Sequence, residues 1–285
     1  MTPRETAITF RCGGARLLGI LHQPADPGTC GVVVVVGAPQ YRVGSHRQYL
    51  LLARDLADQG FPVLRFDYRG MGDSDGDFAG FEAVDDDIRA AVDALYHHVP
   101  ELERVALWGL CDGASAICFF AAKDSRVKDV VLINPWVRTE ESLARAEIGG
   151  YYAARLLSKA FWSRLLSGKI DVLRSAADLL RKLKVALAGG ASDAAAPASL
   201  PQRVATSLRA FGGRTLLILS GRDLTAQEFE GAVLGDKAMA AWSRRPEVSI
   251  KRLEGANHTY SKGNWRRTVH AWTVEQLRKG ETEAV

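Results

Sequence analysis

Five consecutive valines occupy residues 32–36, within "CGVVVVVGAPQ". β-Branched side chains are stiff and favour extended backbone. A strand with one wet face alternates apolar and polar residues; this run has no polar face. It suits a strand buried on both sides, as in the interior of a parallel sheet. It is far too short to cross a bilayer.

The rest of the chain supplies matching partners. "FPVLRFDYRG", "RVALWGL", "VKDVVLINP" and "RTLLILSGRD" read as further buried strands. Helical spacing fills the gaps between them: "HRQYLLLARDLADQG" ends at Gly60, a C-cap, and "FEAVDDDIRAAVDALYHHV" carries acids in its first half. "GASAICFFAAK" is a third helix. The alternation predicts a mostly parallel sheet with right-handed crossovers and helices on both faces. An antiparallel pair precedes it, "TAITFRC" and "ARLLGILHQP" around Gly13-Gly14. "KAMAAWSRR", "EVSIKRLEGANH" and "RRTVHAWTVEQLRKG" resume the rhythm at the end.

The rhythm stops between the "LINP" strand and about residue 210, where the sequence reads as helical almost throughout. The expected organisation is a core of residues 1–136 and 211–285, with a helical cap at 137–210. Residues 138–214 hold 13 Lys+Arg and 6 Asp+Glu, a net of +7, and the remainder carries −3. One reading is a solvated outer face; the other is a basic lid attracting an anionic ligand or a membrane surface. Basic and aromatic residues do not interleave as in a nucleic-acid module, so nucleic acid is set aside as a partner.

The four cysteines make no CxxC pair and no zinc-finger spacing, so neither a disulfide framework nor a metal is expected. No nucleotide fingerprint appears, and no cofactor is expected. "MTPRETAITFRCGG" lacks the apolar core of a signal peptide, which points to the cytoplasm.

The chemistry gathers at "WGLCDGAS". Cys111 stands in a G-x-C-x-G turn between a strand and a helix. Alone, that pattern fits a small buried thiol as well as a nucleophile. Chain order separates the two. Asp223 follows the next strand, "TLLILSG", and His258 follows "EVSIKRLEG". All three lie just past strand C-termini, where sites assemble in open α/β sheets. The expected roles are Cys111 as nucleophile, His258 as base and Asp223 as its orienter. The oxyanion would be held by the Asp112 N–H at the helix start and by Ala38, because Pro39 has no N–H to give. Gln40, Tyr41 and Arg42 are the substrate-binding candidates at the mouth. Asp67 is expected to order its loop.

Cys111 stands where α/β-hydrolases usually carry serine, and "RFDYRGMGDSDG", "SGRDLTAQEF" and "EGANHTYS" resemble loops of that superfamily. More narrowly, "GAPQYRVGSHRQY", "PVLRFDYRGMGDSDG" and "GLCDGAS" resemble the exosortase A system-associated hydrolase 1 family of bacterial exopolysaccharide clusters. The cysteine is similar to that of dienelactone hydrolases and polyhydroxyalkanoate synthases. The resemblance implies an α/β-hydrolase fold and hydrolysis of a small ester or thioester through an acyl-cysteine. The alternatives are an acyltransferase using the same intermediate and a non-catalytic scaffold.

Overall fold

The computed structural model describes residues 3–37, 40–139 and 198–282. Eight strands form one sheet in the order β1-β2-β4-β3-β5-β6-β7-β8. They are β1 (Arg4–Cys12), β2 (Ala15–Gln23), β3 (Cys30–Val35), β4 (Val63–Phe66), β5 (Arg104–Leu110), β6 (Val127–Ile133), β7 (Arg214–Ser220) and β8 (Val248–Leu253). β1 pairs antiparallel with β2, and β2 antiparallel with β4. From β4 to β8 every pairing is parallel. The Gly13-Gly14 turn closes the hairpin between Cys12 and Ala15.

The valine run is β3, every residue of it buried, between β4 and β5. Its alternate side chains serve two cores. Val33 and Val35 enter one with Ile88 and Leu107; Val32 and Val34 enter the other with Leu52 and Trp108. The helices supplying those faces are α1 (Gln48–Asp58), α2 (Asp85–His98), α3 (Asp112–Phe120), α4 (Leu200–Ala210), α5 (Leu224–Phe229), α6 (Lys237–Trp242) and α7 (Gly263–Thr282). α2 starts with Asp85, Asp86 and Asp87, negative charge at the positive end of the helix dipole. α5 was not expected from the sequence: Asp223 caps it, accepting from Thr225 N–H, so the acid loop turns directly into a helix.

At the N-terminal edge, Arg104 and Arg214 flank Asp129, whose carboxylate is fully buried. Arg104 also donates to the Leu277 and Gly280 carbonyls at 2.8 Å each, binding the end of α7 to β5. Most of the expected cap, residues 140–197, lies outside the described residues. Its end, α4, opens on a capping box of Ser199 and Gln202 and buries Val204 and Leu208. Among the described residues, no helix is long and apolar enough to cross a membrane.

Candidate active site

Cys111 sits between β5 and α3 with φ 62° and ψ −128°, a left-handed backbone that a residue with a Cβ adopts only under constraint. The constraint is a turn packed from both sides. A Cβ on Gly109 would lie 2.7 Å from Ile117 and 2.8 Å from the Gly113 carbonyl carbon. One on Gly113 would lie 2.5 Å from the Val35 carbonyl oxygen. The two glycines of G-x-C-x-G are therefore what lets the turn close against β3. Cys111 N–H donates to the Ile133 carbonyl at 2.9 Å, and its own carbonyl accepts from Trp136 N–H at 3.2 Å. The half-buried thiol differs from Cys12, Cys30 and Cys118, which are all buried. Burial pushes the Cys118 thiol up to about 12.

Two and three strands away on the same side, past β7 and β8, the sheet brings in the remaining groups. His258 Nδ1 lies 2.8 Å from Asp223 Oδ2. The other Asp223 oxygen accepts from Thr225 N–H, so each oxygen has one task. The His258 side chain also reaches the Cys111 sulfur. Burial alone would lower the imidazole. The bonds to Asp223 and Cys111 favour the protonated ring more strongly, and together they raise it to about 10. Ser115 is fully buried and donates to the Trp136 carbonyl at 2.6 Å, so no free serine hydroxyl replaces the thiol there.

Asn134, at the end of β6 between β5 and β7, was not singled out from the sequence. It is fully buried with φ 43°. Its amide donates to Ser220 Oγ at 3.0 Å and to the His258 carbonyl at 3.3 Å, and accepts from Ser220 N–H at 2.9 Å. Ser220 Oγ donates to the Asn257 carbonyl at 3.2 Å. Arg222 N–H meets the Ala256 carbonyl at 3.0 Å. The acid loop and the histidine loop are thus stitched into one unit. The only sequence signal was a polar residue closing an apolar strand, "LINP".

Of the other expected site residues, Asp112 opens α3, which places its N–H at the helix start. Ala38 lies outside the described residues, as does Pro39. Gln40 and Tyr41 line an open groove of about 460 Å³ together with Gly44, Ser45, Gly70, Met71 and Gly72. Gln40 Oε1 accepts from Ser45 N–H at 3.0 Å, and the Tyr41 ring is exposed. Arg42 does something else. Its guanidinium is engaged by the buried Asp67 and by Asp73, so its charge is spent inside the protein rather than offered to a ligand. Asp67 also accepts from Arg42 N–H at 2.7 Å and from Asp73 N–H at 3.2 Å, tying the loops after β3 and β4 together. Arg65 completes this support, donating to the Arg42 carbonyl at 2.6 Å and to His22 Nε2 at 3.0 Å. Burial holds His22 down to about 4, which keeps that nitrogen an acceptor. Among the described residues, no group of His, Cys, Asp and Glu could hold a metal ion.

A mostly parallel sheet flanked by helices, with a sharp strand-to-helix turn and an acid–histidine pair beyond later strands, defines the α/β-hydrolase fold, and the chain is a hydrolase. It belongs to the family described as Serine aminopeptidase, S33, whose profile matches residues 32–190. The family's name speaks of serine; the turn between β5 and α3 carries Cys111. Solved structures share the fold at low identity. An esterase of Pyrococcus furiosus is 17% identical with a TM-score of 0.65, covering 97% of this chain and 91% of that one. Est1E of Butyrivibrio proteoclasticus, solved with ferulic acid, is 16% identical with a TM-score of 0.58, covering 95% and 100%. The α/β hydrolase GrgF of Penicillium sp. sh18 is 16% identical with a TM-score of 0.64, covering 97% and 98%. A curated relative, an uncharacterised 31.7 kDa protein of Escherichia coli, is 33% identical over 82 residues, which span only 28% of this chain and 29% of that protein.

Proposed function

We propose that the protein hydrolyses a small-molecule ester or thioester through an acyl-cysteine on Cys111. The observation that carries this reading is the Asp223–His258 pair, 2.8 Å apart, with the imidazole also reaching the Cys111 sulfur at a strained turn.

His258 takes the thiol proton while Asp223 holds the ring and stabilises its charged form. Sulfur attacks the acyl carbonyl, and negative charge develops on the carbonyl oxygen. Asp112 N–H at the start of α3 faces that oxygen, with Ala38 N–H as the second donor. When the intermediate collapses, the C–O or C–S bond to the leaving group breaks and His258 returns its proton to the departing atom. Water then attacks the thioester, His258 takes a proton from it, and the carboxylic acid leaves with the thiol restored. Because the intermediate is itself a thioester, transfer from an acyl thioester is nearly balanced in energy, which favours activated acyl substrates.

Gln40 and Tyr41 form the substrate-facing wall. The net charge of +7 over residues 138–214 suits an anionic leaving group. The resemblance of residues 37–49, 62–76 and 109–115 to the exosortase A system-associated hydrolase 1 family supports a link to bacterial exopolysaccharide systems. Three buried free thiols suit a reducing compartment, the cytoplasm. Intact mass after a pulse of acyl-CoA or p-nitrophenyl butyrate tests the core of the reading. One acyl group on Cys111, absent in Cys111→Ala, is expected; turnover that survives Cys111→Ala defeats it.

A further inference from the structure

The open groove of about 460 Å³ between the loops after β3 and β4 begins next to the nucleophile turn. Gly37 packs against that turn: a Cβ there would lie 2.9 Å from the Leu110 carbonyl oxygen and 2.3 Å from Asp112 Oδ1. Gln40, the first groove residue, donates its N–H to the Gly37 carbonyl at 3.1 Å. One wall is backbone. Gly70 and Gly72 have φ of 70° and 53°, and a Cβ would lie 2.3 Å from Phe78 N at the first and 2.3 Å from Asp67 Oδ2 at the second. No side chain fits at either position, so none fills the groove from that wall.

None of the side chains lining the groove is charged. Behind it, Arg42 is engaged by Asp67 and, at 2.7 Å, by Asp73, and the buried Arg65 donates to the Arg42 carbonyl at 2.6 Å. These two cations and two carboxylates cancel. They also tie the two loops together, so the groove has its shape before anything binds. What it offers is one flat face and neutral hydrogen bonding. The Tyr41 ring is 47% exposed. The Arg42 guanidinium carbon lies 5.4 Å from the ring centroid, a cation–π contact that backs one face and leaves the other for a ligand. Gln40 Oε1 accepts from Ser45 N–H at 3.0 Å, which fixes the amide and turns its NH2 the other way. Met71 adds a soft apolar contact.

We propose that this groove is the acyl subsite, taking an uncharged acyl group whose flat face lies on Tyr41 and whose acceptor oxygen meets the Gln40 NH2. The assignment rests on the acyl-cysteine reading and gives it a substrate class. A neutral groove offers a carboxylate-bearing acyl group no partner and costs it its hydration. The positive charge of residues 138–214 suits the leaving group, which gives the neutral groove to the acyl half. Tyr41 and Gln40 are then the specificity-determining residues for the acyl group: they choose what reaches Cys111 and take no part in the proton transfers of His258.

The test uses p-nitrophenyl acetate, benzoate and hemisuccinate, which share one leaving group and differ only in the acyl part. Tyr41 is exposed, so replacing it leaves the core intact. Tyr41→Ala should lower kcat/KM for the benzoate about tenfold, the scale of one aromatic contact, and for the acetate less than about twofold. Tyr41→Phe should keep the native benzoate rate. Tyr41→Lys, which gives the groove a cation, should raise the hemisuccinate-to-acetate ratio about threefold. Equal losses on acetate and benzoate in Tyr41→Ala, or an unchanged hemisuccinate ratio in Tyr41→Lys, would overturn the proposal. So would a loss confined to the leaving group, seen as slower 2-naphthyl acetate turnover with a native benzoate rate. Turnover that survives Cys111→Ala defeats the acyl-cysteine reading instead, and the benzoate selectivity of Tyr41→Ala still decides the groove.

Discussion

Asn134 and His258 are 124 positions apart, yet the Asn134 amide donates to the His258 backbone carbonyl at 3.3 Å while pairing with Ser220 on the strand between them. The histidine is held in two ways: its ring by Asp223, its main chain by a residue just past β6, a strand whose end carries none of Cys111, Asp223 and His258.

Asn134→Ala removes the acceptor for Ser220 N–H and one donor to the His258 loop. Leaving a buried backbone N–H unpaired costs about 1–3 kcal/mol. Urea denaturation should show a loss of that size, and kcat should fall while KM holds. Asn134→Asp, which keeps the acceptor, should recover part of the stability. An Asn134→Ala enzyme with native kcat and native midpoint would refute the bracing role.

Cys111→Ala should reduce kcat/KM by on the order of 10⁴–10⁶-fold, as loss of a covalent nucleophile does. Cys111→Ser should be more active than alanine at the same turn. Steady-state kinetics with p-nitrophenyl esters checks both.

His258 should set the alkaline limb of the pH–rate profile. Its ring is raised from 6.5 to about 10, because the bonds to Asp223 and Cys111 outweigh burial. The proton it returns to the leaving group is lost above that point, so kcat should decline as pH rises through about 10. The stability contribution has the same sign: fully present below the unfolded value of 6.5, and lost as pH rises through about 10. Asp223→Asn removes one of the raising interactions and should move the limb to lower pH. A profile that stays flat to the alkaline end, or a limb that does not move in Asp223→Asn, contradicts the assignment.

Asp129→Ala should destabilise by about 3–5 kcal/mol, because Arg104 and Arg214 would be left as buried charges without their carboxylate. Differential scanning calorimetry reads the loss. This network lies at the opposite edge of the sheet from Cys111, so kcat measured well below the new Tm should stay near the native value.

The sequence carried the sheet because β3, β5, β6 and β7 are apolar on both faces, a pattern few other structures permit. It carried Cys111, Asp223 and His258 because each follows a strand, and strand ends in such a sheet lie along one edge. Asn134 and Arg65 escaped notice for one shared reason. A lone polar residue in an apolar strand reads the same whether it is a brace or an accident, and only the facing strand tells which. Arg42 was misjudged on charge: its partners Asp67 and Asp73 come from the loop after β4, and no local spacing reveals that pairing. α5 was hidden because the residues after Asp223 look like a loop until that aspartate is seen capping them.

The order of the strands also bears on how the protein is made. Cys111 leaves the ribosome with β5, while β7 and β8, which carry Asp223 and His258 just past their ends, begin at Arg214 and Val248. For roughly half of synthesis, between residues 111 and 258, the thiol exists without the imidazole proposed to activate it. On the proposed mechanism a nascent or truncated chain carries an ordinary cysteine, and reactivity arrives only when β7 docks onto β6 and β8 onto β7. Competence of the site is in that sense a readout that the whole sheet has been assembled.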